Sequence, residues 1–311
     1  MVSSTTTRDG VLYTEHVTLK GEGPIASLWS FASIPHTPGR PAIVKNADGN
    51  LEFWLDRSDP LLNTILPGTG ASVIVTFGDR WSVGRSLRTT SELPAVFVVG
   101  PVMRPRILRV GHSVRAIGAA FPAILTQSFL GVHPSELLDQ IVPLHSIWPI
   151  DSVETLTASL AAVAMPDAAA MLRDVLIERR GDGVAQEHFA HKATELIRKA
   201  SGRVAITSLA GTFRMSRQKF AREFIDATGF TPKVYARLTR FQSLLRRLLT
   251  SDVSEWAAIS SEAGFYDQAH MINEFRELAG VSPIEFFRPH GESAKALDVS
   301  VRGRPSQWVR R

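Results

Sequence analysis

The strongest constraint on how this chain folds is that it states one helix twice. Residues 216–232 read SRQKFAREFIDATGFTP, and residues 267–283 read DQAHMINEFRELAGVSP. Each stretch opens on a helix-capping side chain, Ser216 or Asp267, whose oxygen can accept a hydrogen bond from an otherwise unpaired first-turn amide. Each closes at a glycine, Gly229 or Gly280, the residue that most easily ends a helix in the left-handed conformation. Setting Ser216 on Asp267, 51 residues later, pairs Phe220 with Met271, Glu223 with Glu274, Phe224 with Phe275 and Pro232 with Pro283. The residues that fold and stop the helix agree. Those on the other face do not: Arg217, Gln218, Lys219 and Arg222 stand against Gln268, Ala269, His270 and Asn273. A common scaffold with different outward side chains is what reading two stretches of DNA requires. The bland alternative is a helical array with a solvated basic face.

The surroundings of the two stretches repeat as well. ITSLAGTF and a short turn precede Ser216, and EWAAISSEAG with a turn through Phe265-Tyr266 precedes Asp267. Helix, turn, helix is the arrangement that presents its second helix to a major groove. Between the two units, TPKVYARLTRFQSLLRRLLTS puts Val234, Leu238, Phe241, Leu245 and Leu248 on one stripe, long enough to pack at both ends. Ahead of them, AQEHFAHKATELIRKASG aligns Phe189, Ala193, Leu196, Ile197 and Ala200 on another.

Charge follows this division. Residues 1–194 carry 16 Lys/Arg against 18 Asp/Glu, residues 195–288 carry 14 against 10, and residues from 289 carry 5 against 2. The basic excess lies in the C-terminal third, as in a nucleic-acid-binding module.

Residues 25–121 have a different texture. Short apolar or alternating runs (IASLWSFASI, NLEFWLD, ASVIVTFGDRWSV, PAVFVVG, RILRV) are separated by Gly-, Pro- and Asp-rich breaks. That spacing predicts a β-sandwich or barrel. After Pro122 the pattern turns helical, with candidates in PAILTQSFLG, PSELLDQIV, SVETLTASLAAVA and PDAAAMLRDVLIERR, and a break at GDG, 181–183. The expected fold is therefore α+β and multidomain. A loose N-terminus spans 1–20, a β-rich domain 21–150, and a helical linker or dimerisation segment 151–183. An all-α domain spans 184–288, and a disordered basic tail 289–311. The aromatics Trp29, Phe31, Phe53, Trp54, Phe77 and Trp81 either fill the sandwich core or line a small-molecule pocket.

Several chemistries are disfavoured. The chain has no cysteine, which removes thiol catalysis, disulfides and sulfur-ligated metals and suits a reducing cytoplasm. The first residues lack the apolar core of a secretory signal. His16, His36, His112, His133 and His145 are scattered without ligand spacing, and His188 and His191 have no third partner nearby. No enzyme and no cofactor are expected. The competing class is a metal- or ligand-dependent cupin-like enzyme or sensor, with the C-terminal domain as a non-specific DNA tether.

Residues from roughly 187 to 288 resemble the DNA-binding domain of the AraC/XylS transcription regulators. The resemblance rests on SLAGTFRMSRQKFAREFIDATGFTPKVYARLTRFQSLLRRLL and ISSEAGFYDQAHMINEFRELAGVSPIEFFR. Gly264-Phe265, Asp267-Gln268, Phe275, Gly280, Ser282-Pro283 and Phe286 all stand in register with the family signature. It implies seven helices and two helix-turn-helix units joined by a linker helix, here about 231–250. It further implies that Gln218 and Arg222 reach base edges, with Arg217 and Lys219 beside them. Gln268, His270 and Asn273 are expected to face DNA from the second unit, and Arg217, Lys219, Lys233, Arg237 and Arg276 to contact phosphates. The chain departs from the family at Asn273, where arginine is common, at Met271, where an aromatic is common, and at Trp256 and Ser260. More loosely, residues 50–150 resemble the poorly characterised domain that precedes this module in one branch of the family. The implied partners are double-stranded DNA, a small-molecule effector, a second copy of the chain and, for an activator, RNA polymerase.

Overall fold

The computed structural model describes residues 2–8, 11–17, 27–33, 42–45, 51–54, 62–86, 88–110, 114–180, 184–248 and 256–287. Thirteen strands occupy the N-terminal part of these: β1 (Val2–Arg8), β2 (Val11–Val17), β3 (Ser27–Ser33), β4 (Ala42–Lys45), β5 (Leu51–Trp54), β6 (Leu62–Ile65), β7 (Gly70–Gly78), β8 (Ser82–Gly84), β9 (Thr90–Glu92), β10 (Val96–Val99), β11 (Arg106–Arg109), β12 (Val114–Pro122) and β13 (Ile141–Pro143). They form an antiparallel seven-stranded sheet in the order β1-β2-β3-β12-β7-β10-β13, a four-stranded sheet β6-β11-β8-β9, and the pair β4-β5.

The central strands of the large sheet are buried on both faces, which is why ASVIVTF reads as a nearly continuous apolar run. Strand alternation divides these residues between two cores. Val73, Val75, Val96, Val98, Ile117, Ala119 and Phe121 face the helices α1 (Thr126–Leu130), α2 (Ile150–Ala161) and α3 (Met165–Glu178). Ile74, Phe97, Val99 and Ala116 face Trp81, Leu108 and Val110 from the loops and strands of the small sheet. Trp81 is a core residue, its ring 6.0 Å from that of Phe97. The side chains of Trp29, Phe31, Phe53 and Trp54 lie outside the described residues.

Within the expected loose N-terminus, residues 2–8 and 11–17 form strands, β1 pairing with β2 and β2 with β3 at one edge of the large sheet. The signal was present: Thr5, Thr6, Thr7, Val11 and Val17 are β-branched, and the register Arg8↔Val11 leaves Asp9-Gly10, a strong hairpin dipeptide, between the strands. Within the segment 151–183, expected as a helical linker or dimerisation segment, the described residues include most of α2 and all of α3. Ala168, Ala169, Leu172 and Leu176 of α3 are fully buried in the core shared with the large sheet, so α3 covers that sheet. Residues 181–183 and the tail 289–311 lie outside the described residues.

The C-terminal part is helical: α4 (Val184–Lys199), α5 (Ile206–Thr212), α6 (Arg217–Thr228), α7 (Pro232–Leu248), α8 (Trp256–Glu262), α9 (Gln268–Ala279) and α10 (Pro283–Phe287). That makes seven α-helices among the described residues from 184 onward. α7 runs through their shared core, burying Leu238, Phe241, Leu244, Leu245 and Leu248. The N-terminal sandwich is continuous with this core. Leu66 and Ala123 are buried in it, Ala190 of α4 is buried in the sheet–helix core, and Gln242 of α7 donates from Nε2 to the Pro67 carbonyl at 2.5 Å. The end of α6 meets a turn of the sandwich, where a Cβ on Gly229 would lie 3.0 Å from the Ser135 nitrogen.

Candidate nucleic-acid interface

The two repeated helices, α6 and α9, are built alike. Ser216 Oγ accepts the Lys219 amide at 3.2 Å, and Asp267 Oδ1 accepts the His270 amide at 2.7 Å. Gly229 and Gly280 end α6 and α9 at φ +76° and +83°, each donating its amide back four residues, to the carbonyls of Ile225 and Arg276. Both helices have 12 residues, and their inner faces match: Phe220 and Met271, Phe224 and Phe275, are all fully buried.

The turns differ by one residue. Arg214 and Gly264 are left-handed, at φ +53° and +79°. The next amides, Met215 and Phe265, donate to Ala210 and Ser260, both at 3.1 Å. These positions are 50 apart, whereas the caps Ser216 and Asp267 are 51 apart. The additional residue is Tyr266, which is 94% exposed just ahead of the Asp267 cap. Aligning the chain on its caps hides this insertion; aligning it on Ala210 and Ser260 reveals it.

Arg217, Gln218, Lys219 and Arg222 are exposed along the outer face of α6, and Gln268, His270 and Asn273 along that of α9. Lys233 at the start of α7 and Arg276 on α9 are exposed too. Arg217, Arg222, Lys233 and Arg276 form no ion pair with any described residue, so their charge is available to an anionic partner. Lys219 lies 3.7 Å from Glu223 on its own helix, a surface pairing that solvent weakens. His270 is partly committed within its turn. Its Nδ1 accepts the Tyr266 amide at 3.4 Å, its Nε2 lies 3.8 Å from Glu274, and its ring meets Phe265 edge-on.

Arg237, expected at a phosphate, is paired within the protein. Its Nη2 donates to Glu277 Oε2 at 2.5 Å and its Nε lies 3.8 Å from Glu274, so its guanidinium ties α7 to α9. Beside it, Arg240 Nη2 lies 3.0 Å from both Glu274 oxygens and its guanidinium covers the Phe265 ring at 4.9 Å. Sequence reasoning missed Arg240 and Glu274 as a bracing pair. A signal existed, because Glu274 sits three residues after Met271 and four before Leu278, on the inward face, where a carboxylate needs a partner. From the far side, Arg203 Nη1 donates to the Glu262 carbonyl at 2.7 Å and packs over Gly264, where a Cβ would meet Arg203 Cδ at 2.8 Å.

Two matched units, each a capped helix with a polar outer face and a buried inner one, make up a double helix-turn-helix arrangement. Residues 209–289 match a protein-family model described as a helix-turn-helix domain. No curated protein matches the chain. Among solved structures, the chain is similar to ToxT from Vibrio cholerae at 10% identity and a TM-score of 0.43, over 72% of this chain and 97% of that one. It is similar to the C-terminal domain of AraT, a response regulator from Geobacillus stearothermophilus, at 19% identity and a TM-score of 0.31, over 35% and 92%. The AraC-like transcriptional activator CuxR gives 12% identity and a TM-score of 0.26, over 84% of each chain. No described helix is long and apolar enough to cross a membrane.

Proposed function

We propose that this protein is a sequence-specific transcription regulator that reads two successive major-groove segments with α6 and α9. The observation that carries this is the pair of helices α6 and α9, equal in length, capped at the same positions and packed on α7, each turning polar side chains outward. Bound on one face of B-DNA, two such helices would enter grooves about 34 Å apart. Arg222 and Gln218 read base edges in the first segment, arginine favouring the O6/N7 edge of guanine and glutamine that of adenine. Gln268, Asn273 and His270 face the second segment. Arg217, Lys219 and Lys233 hold phosphates, which fix register without specifying sequence. Arg237 is left out of this set because Glu277 and Glu274 occupy it.

The N-terminal sandwich is the regulatory part, acted on by an effector or by a second copy of the chain. The contact of its 133–137 turn with the end of α6 supports this. His133 Nε2 lies 3.5 Å from Asp226 Oδ1, and Gly229 abuts Pro134 and Ser135. A change in the sandwich at this turn would bear directly on the recognition helix.

The test is selection of bound sequences from a random duplex pool by the full-length protein at near-physiological salt. Two enriched blocks about one helical turn apart are expected, with affinity falling as salt rises. Binding that falls with salt but enriches no sequence would reduce the C-terminal part to a non-specific tether.

A further inference from the structure

Resting on that DNA reading, we infer that the ninth residue of each recognition helix, Ile225 in α6 and Arg276 in α9, determines specificity: Ile225 selects a thymine methyl and Arg276 a guanine. Because the two helices start and stop at equivalent residues, their positions correspond one to one. The second, sixth and ninth residues are Gln218, Arg222 and Ile225 in α6, and Ala269, Asn273 and Arg276 in α9. At spacings of four and three these lie along one face of each helix. From second to ninth residue the face runs about 10 Å at the rise of an α-helix. That fits within a major groove roughly 12 Å wide.

Exposure supports this placement. Ile225 is 37% exposed on an otherwise polar face and joins neither of the two cores that flank α6. Its neighbours Asp226 and Ala227 turn toward the sandwich instead, through His133 and the sheet–helix core. An isoleucine held beside Arg222 in the groove offers an apolar surface suited to the thymine C5-methyl. In α9 the chemistry is exchanged between positions. The sixth residue is Asn273, with no guanidinium, and the guanidinium stands one turn later at Arg276. Two acidic residues near Arg276 are already engaged, Glu277 by Arg237 and Glu274 by Arg240, so Arg276 is left without an ion pair among the described residues. Ala269, in place of Gln218, removes bulk at the entry end of the face and lets α9 sit closer to the base edges.

The experiment compares the selected motifs of the full-length protein with those of Arg276→Ala and Ile225→Arg, with thermal melts confirming that each variant folds. For Arg276→Ala the inference expects loss of one guanine preference in one block, the other block unchanged, and affinity for the cognate site lower by roughly five- to a hundred-fold. For Ile225→Arg it expects a thymine in the other block to become guanine. If Arg276→Ala keeps its motif and weakens all DNAs alike, with the salt slope reduced by about one, Arg276 is a phosphate contact and the inference fails alone. If the unaltered protein enriches no sequence, the DNA reading itself fails and takes the inference with it.

Discussion

In the first helix-turn-helix unit the second helix, α6, is held by rings. Phe189 and Phe213 meet edge-on at 4.9 Å, Phe220 stands 5.4 Å from Phe189, and Phe224 stands 5.4 Å from Tyr235. In the second unit Phe275 still packs against Phe241 and Phe286, but the helix is also tied to α7 by Arg237 and Arg240 through Glu274 and Glu277. The outer ends differ as well. The end of α6 rests on the N-terminal sandwich, whereas α9 is steadied by the linker helix and, through its turn, by Arg203. One duplicated scaffold has thus been fixed in place by different physics. Ring packing is insensitive to salt and pH, while an ionic brace depends on both partners keeping their charge.

The largest test of this contrast is Phe224→Ala. Phe224 is fully buried against the rings of Phe220 and Tyr235, and truncation should cost about 3–5 kcal/mol, read from chemical denaturation of the full chain. A loss below about 1 kcal/mol would mean that the aromatic cluster does not carry the first unit.

Next comes the aligned pair Glu223 and Glu274. Glu274 has 9% of its side chain exposed and answers two arginines, so Glu274→Ala leaves Arg240 facing a partly buried site without its carboxylate. The expected loss is about 3 kcal/mol, at the low end for a broken buried pair because Arg240 retains some access to water. Glu223→Ala removes only a half-exposed surface partner of Lys219 and should change stability by less than about 0.5 kcal/mol. Equal losses at the two sites would erase the distinction between the units.

That pair also shows what was legible in the sequence and what was not. The caps, the stops and the apolar positions of α6 and α9 could be read directly, because each is set by local chemistry within one helix: Ser216, Asp267, Gly229, Gly280, Phe224 and Phe275. The outward residues followed by subtraction. Glu223 and Glu274 carry the same letter at the same register, yet only one is buried, because the difference comes from Arg237 and Arg240, more than thirty residues away in the chain. The docking of Gln242 on Pro67, across 175 residues, was invisible for the same reason. In the N-terminal part the alternating runs revealed a sandwich, but not that α3 covers one face of its large sheet. A helix that caps a sheet and a helix that dimerises share the same apolar stripe.

On the DNA side, Arg222→Ala should cost about 1–3 kcal/mol on the selected site and relax discrimination at one base pair. The comparison sharpens if Asn273→Ala costs less on the same site, since an asparagine at that position presents a shorter, uncharged reader. Electrophoretic titration of one duplex and its single-base variants reads both. A uniform loss on every duplex would move Arg222 from base reader to phosphate contact.

The smallest effect separates the two caps. Ser216→Ala and Asp267→Ala should each cost about 1 kcal/mol, because each removes one side-chain acceptor from a first-turn amide. Asp267 adds a negative charge beside the positive end of α9, worth a further 0.3–1 kcal/mol or so at low ionic strength. Asp267→Asn separates the two contributions, since it keeps an acceptor and removes only the charge. Its cost should therefore shrink as salt is raised, whereas that of Ser216→Ala should not change, with both read from denaturation midpoints at low and high ionic strength. A cost for Asp267→Asn that does not vary with salt would show that Asp267 acts through its hydrogen bond alone, making the two units alike at their caps and different only in how their helices are braced from behind.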